Sequence, residues 1–287
     1  MTAVRTPAVA GRFYPDDPAR LLREIDGYIS TPQTPISALG CVAPHAGYIY
    51  SGHVAGAVFA RLEIPEHCII LCPNHTGRGV PLSIMTATAW QTPLGEVAPS
   101  TEIASELLNR FPELEEDSAA HRGEHGIEVQ LPFLQVQQPN LHIVPIVVGT
   151  SDFRVLRELG EAIAGVVGEV VGGDRDQEER SHEIFRKASQ KILIIASSDM
   201  NHYESDAITR VKDQKAIDRV LALDARGLWE VIMREDISMC GFGPTVAMLT
   251  AAKILGAAKA TLVRYATSGD VSGERDRVVG YAGIVVE

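Results

Sequence analysis

Histidine and aspartate side chains follow three apolar, strand-like runs of the sequence, directly beyond the point where each run ends. They are His45 after ALGCVA (38–43), His75 after CIILC (68–72), and Asp199 with His202 after KILIIAS (191–197). Imidazole and carboxylate groups bind transition metals, and imidazole also carries protons near neutral pH. Ligands of open α/β sheets bind beyond the carboxyl ends of the strands, where the loops converge. One histidine in such a place is commonly structural, but three successive strand ends of this kind predict one shared site.

A fourth candidate group is Cys240, in the stretch MCGFGPTVAML (239–249). Pro244 is typical of the first turn of a helix, so Cys240 is expected close to the positive end of that helix. This position favours the thiolate, which is the form that binds a metal or attacks an electrophile. The other cysteines lie inside apolar runs, where buried and inert thiols are expected: Cys41, Cys68 and Cys72.

The segment HRGEHGIEVQLPFL (121–134) contains a formal match to the H-x-x-E-H signature of inverted zinc peptidases. That signature requires both histidines on one face of a continuous helix. Gly123 and Gly126 interrupt the segment, and apolar spacing typical of a helix begins only after them. The match is therefore interpreted as a coincidence, with His125 and Glu128 as loop or helix-start residues that can line the pocket.

Strands and helices are expected to alternate along the sequence. Apolar, β-branched runs predict strands at 38–43, 68–72, 141–149, 191–197, 260–267 and 278–286. Apolar spacing near three and four residues predicts helices at 18–29, 101–111, 153–170, 184–188, 205–223 and 244–255. This alternation predicts a single three-layer α/β domain over residues 1–287, with a central, mostly parallel or mixed sheet flanked by helices. The charged stretch GGDRDQEERS (172–181) is interpreted as part of a surface insertion near 172–190.

The overall composition disfavours several classes of function. The chain of 287 residues has 26 basic and 37 acidic residues, and the resulting charge of −11 argues against nucleic acid or an anionic membrane surface as the main partner. Four cysteines are too few for a secreted disulfide scaffold. The N-terminal residues lack the apolar core of a signal peptide, and no apolar stretch approaches the length of a transmembrane helix. A cytoplasmic protein is therefore expected.

Several stretches of the sequence resemble the Memo-like family, whose bacterial and archaeal members are also called AmmeMemoRadiSam system protein B. They are AVAGRFYP (8–15), APHAGYIYSG (43–52), PNHTGRG (73–79), TPLGEV (92–97), EHGIEVQLPFL (124–134), SSDMNHY (197–203) and CGFGPTVAML (240–249). They occur in the family's order and span nearly the whole chain. The resemblance implies a fold similar to that of the class III, non-haem iron extradiol dioxygenases.

The resemblance also implies roles for individual residues. The implied metal ligands are His45, His75 and Cys240, and the implied catalytic groups are His202, Asp199 and His125. Fe(II) is the expected cofactor, although two imidazoles and a thiolate also suit copper or zinc. The side chains expected to shape the pocket are Tyr48, Asn74, Arg78 and Phe242.

Three functions of different classes fit these residues. The first is a metal-dependent oxidoreductase or iron-binding protein that acts on a small molecule or a peptide. The second is a binding module that receives a peptide or protein tail in the same cleft without performing chemistry. The third is a hydrolase or transferase with Cys240 as its nucleophile, activated by His45 or His202. Two histidines beside a cysteine at strand ends are more typical of a metal-ligand set, which favours the first function.

Overall fold

Strands and helices alternate along the structure, a computed structural model that describes residues 3–30, 34–170, 172 and 180–287, with the backbone alone for 180–183. Its strands are β1 (Val4–Arg5), β2 (Gly40–Ala43), β3 (His67–Pro73), β4 (Leu82–Ile84), β5 (Ala89–Thr92), β6 (Gly95–Pro99), β7 (Glu115–Glu116), β8 (His142–Val148), β9 (Ile192–Ser197), β10 (His202–Glu204), β11 (Ala260–Thr267) and β12 (Val278–Val286). Its helices are α1 (Pro18–Ile29), α2 (Tyr48–Ala60), α3 (Thr101–Arg110), α4 (Ser118–His121), α5 (Leu131–Gln137), α6 (Phe153–Val170), α7 (Arg180–Lys191), α8 (Asp206–Leu221), α9 (Ala225–Glu235), α10 (Phe242–Ile254) and α11 (Gly269–Ser272), with a 3-10 turn at Glu128–Gln130.

Parallel strands form the middle of one mixed sheet, in the order β6-β8-β3-β9-β2. Antiparallel strands extend it on both sides, because β12 and β11 follow β2 while β5 pairs with β6. The shorter strands lie at its margins, with β1 beside β5, β4 beside β8, β7 beside β4 and β10 beside the start of β12. This architecture confirms the predicted single α/β domain with a mixed sheet flanked by helices.

Helices cover both faces of the sheet. Side chains alternate along β3, so that Ile69 and Leu71 enter one buried core while Cys68 and Ile70 enter the other. Helices α3, α6, α8, α9 and α10 contribute apolar side chains to the first core, and α1, α2 and α5 contribute to the second. Three layers result, as is usual for parallel strands that are buried on both faces. Among the described helices, none has both the length and the apolar character needed to span a lipid bilayer.

The predicted elements are present, and their ends differ from the prediction by at most two residues, apart from the helix at 184–188, which lies within the longer α7. Most of the stretch 172–181, interpreted as part of a surface insertion, lies outside the described residues. The predicted helices do not include α2 and α9, or the short helices α4 and α11. Helix α2 is buried on nearly all sides, so its sequence has no polar face and no periodic apolar stripe.

The carboxyl ends of three adjacent strands bring the candidate site residues together. Strand β9 lies between β2 and β3, and all three run in the same direction. Ala43 at the end of β2 pairs with Ser197 at the end of β9, and Leu71 of β3 pairs with Ala196. The loops that follow these strands therefore begin side by side at one edge of the sheet.

Asp213 of α8 is a buried carboxyl group that holds the segment after β9. Its Oδ1 accepts a hydrogen bond from the Asn201 N–H at 2.8 Å, and its Oδ2 accepts one from the Tyr265 hydroxyl at 2.7 Å. Burial raises the pKa of Asp213 to about 7, although these two hydrogen bonds and the charge of Arg210 act in the opposite direction. The charge of Glu204 adds to the effect of burial. Since the folded protein binds this proton more tightly than the unfolded chain does, ionisation of Asp213 reduces the free energy of unfolding.

We predict that Asp213→Asn changes the pH dependence of stability. In the wild-type protein the contribution of Asp213 is fully present below pH 4 and is lost as the pH rises towards 7. The asparagine variant has no such ionisation. The free energy of unfolding of the variant minus that of the wild type should therefore increase by on the order of 3 kcal/mol between pH 4 and pH 7. Urea unfolding at several pH values measures this difference. Asp218→Asn, an exposed acid on the same helix, is the control, and parallel curves for wild type and Asp213→Asn would contradict the prediction.

Candidate metal centre

Three imidazole rings converge at the edge of the sheet where β2, β9 and β3 end. His45 follows β2 and is buried, His75 follows β3 and is exposed, and His125, which is half-buried, lies in the loop after α4. One ring nitrogen of each histidine lies within 4.8 Å of the corresponding nitrogens of the other two. The rings therefore form one cluster that reaches solvent on the side of His75.

The spacing of the rings fits three ligands of one ion. Ring centroids are 4.9 Å apart for His45 and His75, 5.3 Å for His45 and His125, and 4.5 Å for His75 and His125. With metal–nitrogen bonds of about 2.0–2.1 Å, each centroid would lie roughly 3.2 Å from a common ion, and these separations correspond to ligand angles of about 90–110°. Such angles suit tetrahedral or octahedral coordination, so the donor set is compatible with a transition metal.

Two of these rings are neutral at pH 7. Burial, followed by the charge of His75, lowers the pKa of His45 to about 3. Burial, followed by the charge of His45, lowers the pKa of His125 to about 4. Neutral imidazole is the form that donates a lone pair to a metal.

Glu124 holds His75 in place. Its Oε1 accepts hydrogen bonds from Nδ1 of His75 at 2.8 Å and from the N–H groups of His125 and Gly126 at 2.8 and 2.9 Å, while Oε2 accepts the His75 N–H at 2.8 Å. Burial acts to raise the pKa of Glu124, but the hydrogen bonds and the charge of His75 outweigh it and lower the pKa to about 2. Because the ionised carboxylate accepts the hydrogen bond from Nδ1–H, the lone pair of a neutral His75 lies on Nε2. A metal-binding histidine usually has such a carboxylate or carbonyl on its other ring nitrogen.

Cys240 lies beside His45, but its sulfur is not among the described ligand atoms that all lie within 4.8 Å of one another. Its Sγ is 3.2 Å from Nε2 of His45, whereas a nitrogen and a sulfur on one tetrahedral ion are about 3.5 Å apart. Cys240 directly precedes Gly241, the N-cap of α10, as the sequence predicts. The predicted thiolate is wrong for the metal-free protein, because burial and the charge of Asp199 raise the pKa of Cys240 in spite of the helix end.

Asp199 and His202 approach the cluster from the segment after β9. Oδ1 of Asp199 accepts the N–H groups of His45 and Ala46 at 2.8 and 3.3 Å, and burial raises the pKa of its carboxyl group. His202 is close enough to both Asp199 and His45 for its charge to lower their pKa values. Ser238 holds the imidazole, since its carbonyl accepts from Nδ1 of His202 at 2.9 Å.

Residues 5–285 match the family described as Memo-like protein. The chain belongs to the Memo-like family. Its curated relatives include MEMO1 family proteins of Methanopyrus kandleri and Pyrobaculum aerophilum, which are 43% and 42% identical over 98% of this chain and 98% of their own. A MEMO1 family protein of Methanosarcina barkeri is 41% identical over 99% of this chain and 100% of its own. The resemblance that the sequence motifs indicate is thereby confirmed.

The HRGEH stretch of this Memo-like protein does not form a continuous helix. Helix α4 ends at His121, and His125 lies in a turn before the 3-10 segment that begins at Glu128. Glu128 does not contact the cluster through its carboxylate, which instead binds Arg5 at 2.7 Å, the Tyr14 hydroxyl at 2.8 Å and two backbone N–H groups of the N-terminal segment. The interpretation of the peptidase signature as a coincidence agrees with this geometry, but the placement of Glu128 in the pocket is wrong.

The residues predicted to shape the pocket have separate positions in the fold. Tyr48 is buried at the start of α2 and donates its hydroxyl to the Val129 carbonyl at 2.7 Å. The side-chain amide of Asn74 is occupied within its own turn. Its Oδ1 accepts a hydrogen bond from the Gly77 N–H at 2.9 Å, and its Nδ2 donates one to the Arg78 carbonyl at 2.8 Å. It therefore fixes the turn that carries His75. The side chain of Phe242 packs against the core between the sheet and α10.

Glu124 and Phe13 contribute to the Memo-like site but were not predicted from the sequence. The Phe13 ring packs edge-on against His125 with a centroid distance of 4.9 Å, although it is more than a hundred residues away in the chain. Glu124 had one sequence signal, a carboxylate next to a histidine between two glycines. That signal indicates a loop, but it does not show that the loop folds back onto His75.

We predict that Glu124→Gln destabilises the protein by about 2–4 kcal/mol, because charge-assisted hydrogen bonds become neutral ones and the amide group faces a backbone N–H. Urea unfolding measures the loss. Glu116→Gln is the matched control, since this exposed carboxylate also accepts a backbone N–H, that of Thr86 at 3.0 Å. The control should change stability by less than about 0.5 kcal/mol. Equal losses in the two variants would contradict the role given to Glu124.

Proposed function

We propose that this protein binds one divalent transition-metal ion, Fe(II) in the cell, in the cluster of His45, His75 and Cys240, with His125 beside them. The convergence of three imidazoles from three separate segments, with the Cys240 thiol 3.2 Å from Nε2 of His45, is the observation that carries the proposal. Their ring spacing and the carboxylate behind His75 support it, because both are features of a built ligand set. Cysteine sulfur softens the site, so copper and zinc are the competing ions.

We further propose that the bound metal serves an oxidoreductase reaction on a small molecule or a peptide. A redox-active ion with open positions would supply electron transfer and oxygen chemistry. The protein residues would move the protons. A neutral His202 that donates Nδ1–H to the Ser238 carbonyl carries a free lone pair on Nε2, and this atom would accept the proton. Asp199 would fix the backbone of His45 and adjust the charge of the site.

A cavity that is lined by none of the cluster histidines, but shares Phe13 with them, is our candidate for the ligand-binding space. Its volume is about 530 Å³, and Phe13 forms part of its wall while also contacting His125. Tyr14, Tyr28 and Tyr48 line it together with Arg12, Arg20, Asp16 and Glu24. A space of this size and mixed character suits a small molecule or the end of a peptide. The same cavity is what favours the second candidate function, a binding module without chemistry.

The third function, a cysteine-nucleophile enzyme, has less support. A reactive cysteine has a lowered pKa, whereas burial raises the pKa of Cys240. The neighbouring His45 also has a pKa lowered to about 3, which makes it a poor cationic partner for a thiolate.

We predict that anaerobically purified wild-type protein binds one equivalent of Fe(II) and that replacement of a ligand weakens binding. His45→Ala, His75→Ala and Cys240→Ser should each lower the affinity by at least about 100-fold, because each removes a bond to the ion. Elemental analysis of the purified proteins and titration with Fe(II), Zn(II) and Cu(I) measure this. His125→Ala shows whether that histidine belongs to the ligand set.

The control for this experiment is His67→Ala. His67 stands at the opposite end of β3 from His75 and is not part of the cluster. Equally low metal content in wild type and in a His45→Ala/Cys240→Ser double variant would overturn the proposed metal site.

We predict that the Fe(II)-loaded protein consumes oxygen with catechol-like or thiol compounds and that His202→Gln slows this by at least about 100-fold, because the proton acceptor is lost. An oxygen electrode measures the rate, and elemental analysis checks that the variant keeps its iron. His142→Ala, a partly exposed histidine at the start of β8, is the control. Metal-independent peptide affinity without oxygen consumption would favour the binding module instead.

A further inference from the structure

A buried serine beneath the cluster contacts three groups at once. Oγ of Ser197 lies 2.6 Å from the Gly126 carbonyl oxygen, 2.8 Å from Nε2 of Gln130 and 2.9 Å from Nδ1 of His45. Ser197 and Gln130 have no exposed surface. All three contacts are therefore shielded from water, and each must be satisfied by a donor and an acceptor within the protein.

The number of hydrogen atoms decides the direction of these bonds. A serine hydroxyl has one hydrogen to donate, and a carbonyl oxygen can only accept. The Ser197 hydrogen therefore goes to the Gly126 carbonyl, and Oγ accepts from the other two groups. The amide end of Gln130 is fixed as the donor, because its Nε2 also lies 3.0 Å from the Pro44 carbonyl oxygen. The remaining contact requires that Nδ1 of His45 carries a hydrogen.

A neutral His45 with its hydrogen on Nδ1 has its lone pair on Nε2. Nε2 is the atom that faces Sγ of Cys240 at 3.2 Å. In the metal-free protein this lone pair can accept the thiol hydrogen, and in the metal-bound protein it can bind the ion. The opposite tautomer would present an N–H to the same position and could do neither.

We infer that Ser197 and Gln130 are positioning residues that fix His45 in the tautomer with Nδ1 protonated and Nε2 free for a metal. The inference deepens the proposed metal function and rests on it for its purpose, but the tautomer itself is a property of the metal-free protein. Ser197 comes from β9, Gln130 from the 3-10 turn and Gly126 from the loop of His125. The bonds thus connect the segments that carry His45 and His125.

Nuclear magnetic resonance of metal-free protein with ¹⁵N-labelled histidine tests the inference at pH 7. The nitrogen shifts of His45, assigned with His45→Ala, report which ring nitrogen carries the hydrogen. In the wild type we expect a protonated Nδ1 and a free Nε2. In Ser197→Ala we expect a substantial population with the hydrogen on Nε2, and a 10- to 100-fold loss of Zn(II) affinity in competition with a chromophoric chelator. Ser197→Thr, which keeps the hydroxyl, should restore both properties.

Ser51→Ala is the matched control. Ser51 is also a buried serine close to His45 in sequence, but its hydroxyl donates to the Ala46 carbonyl at 3.0 Å and does not contact the ring. This variant should keep the wild-type tautomer and the wild-type Zn(II) affinity. Gln130→Met separates the two positioning residues. The Ser197 hydrogen still goes to the Gly126 carbonyl in this variant, so His45 should keep its hydrogen on Nδ1 while Oγ loses one of its two donors. Ser197→Cys gives a second route if Ser197→Ala does not fold, because sulfur is a weak acceptor and the Nε2–H population should rise.

Two results would overturn the inference: a wild-type His45 with its hydrogen on Nε2, or a tautomer that is the same in wild type, Ser197→Ala and Ser197→Cys. A third result would distinguish failure of the proposed metal function from failure of this inference. Wild-type protein that shows the expected tautomer and its shift in the variants but does not bind Zn(II), Fe(II) or Cu(I) would overturn the metal function and support the positioning role.

Discussion

The parallel pairing of β9 between β2 and β3 is the constraint on which the candidate site depends. Neighbouring strands are about 4.8 Å apart, so the ends of β2 and β3 lie roughly 10 Å from each other with β9 between them. The side chains that follow can close this gap by reaching towards the middle, and His45 and His75 do so from either side. Any change in the strand order would separate them by further strand widths.

Burial sets the electrostatic character of the site. His45, Glu124 and Asp199 are almost completely removed from water, and each is compensated by hydrogen bonds from fixed groups. Glu124 also pairs with the imidazole of His75. Backbone N–H groups provide much of this compensation, and they cannot move without the loops that contain them. The polar groups are therefore held in place by the fold itself.

Much of the fold follows from the sequence because its strands are buried on both faces and so are continuously apolar, as in KILIIAS. The shared edge of the sheet follows from parallel pairing, which is why His45, His75 and the segment of Asp199 and His202 could be grouped from the sequence. Cys240 joined this group only through the resemblance to the Memo-like family. Helix α2 could not be predicted because it has no polar stripe, and the pKa of Cys240 could not because the sequence does not show its burial. Glu124, Ser197 and Gln130 act through contacts between distant parts of the chain, for which no local pattern exists.

The cluster has a rigid side and an adjustable side. Asp199 ties the backbone of His45 to the segment after β9, so two loops move as one unit there. His75, in contrast, stands in a short exposed turn that Asn74 closes and that contains Gly77 and Gly79 with positive φ angles. An ion arriving from water would meet His75 first and His45 last. In the metal function proposed above, the turn with His75 would therefore set how fast an ion is captured and released, and the deeper side chains would set which ion is retained.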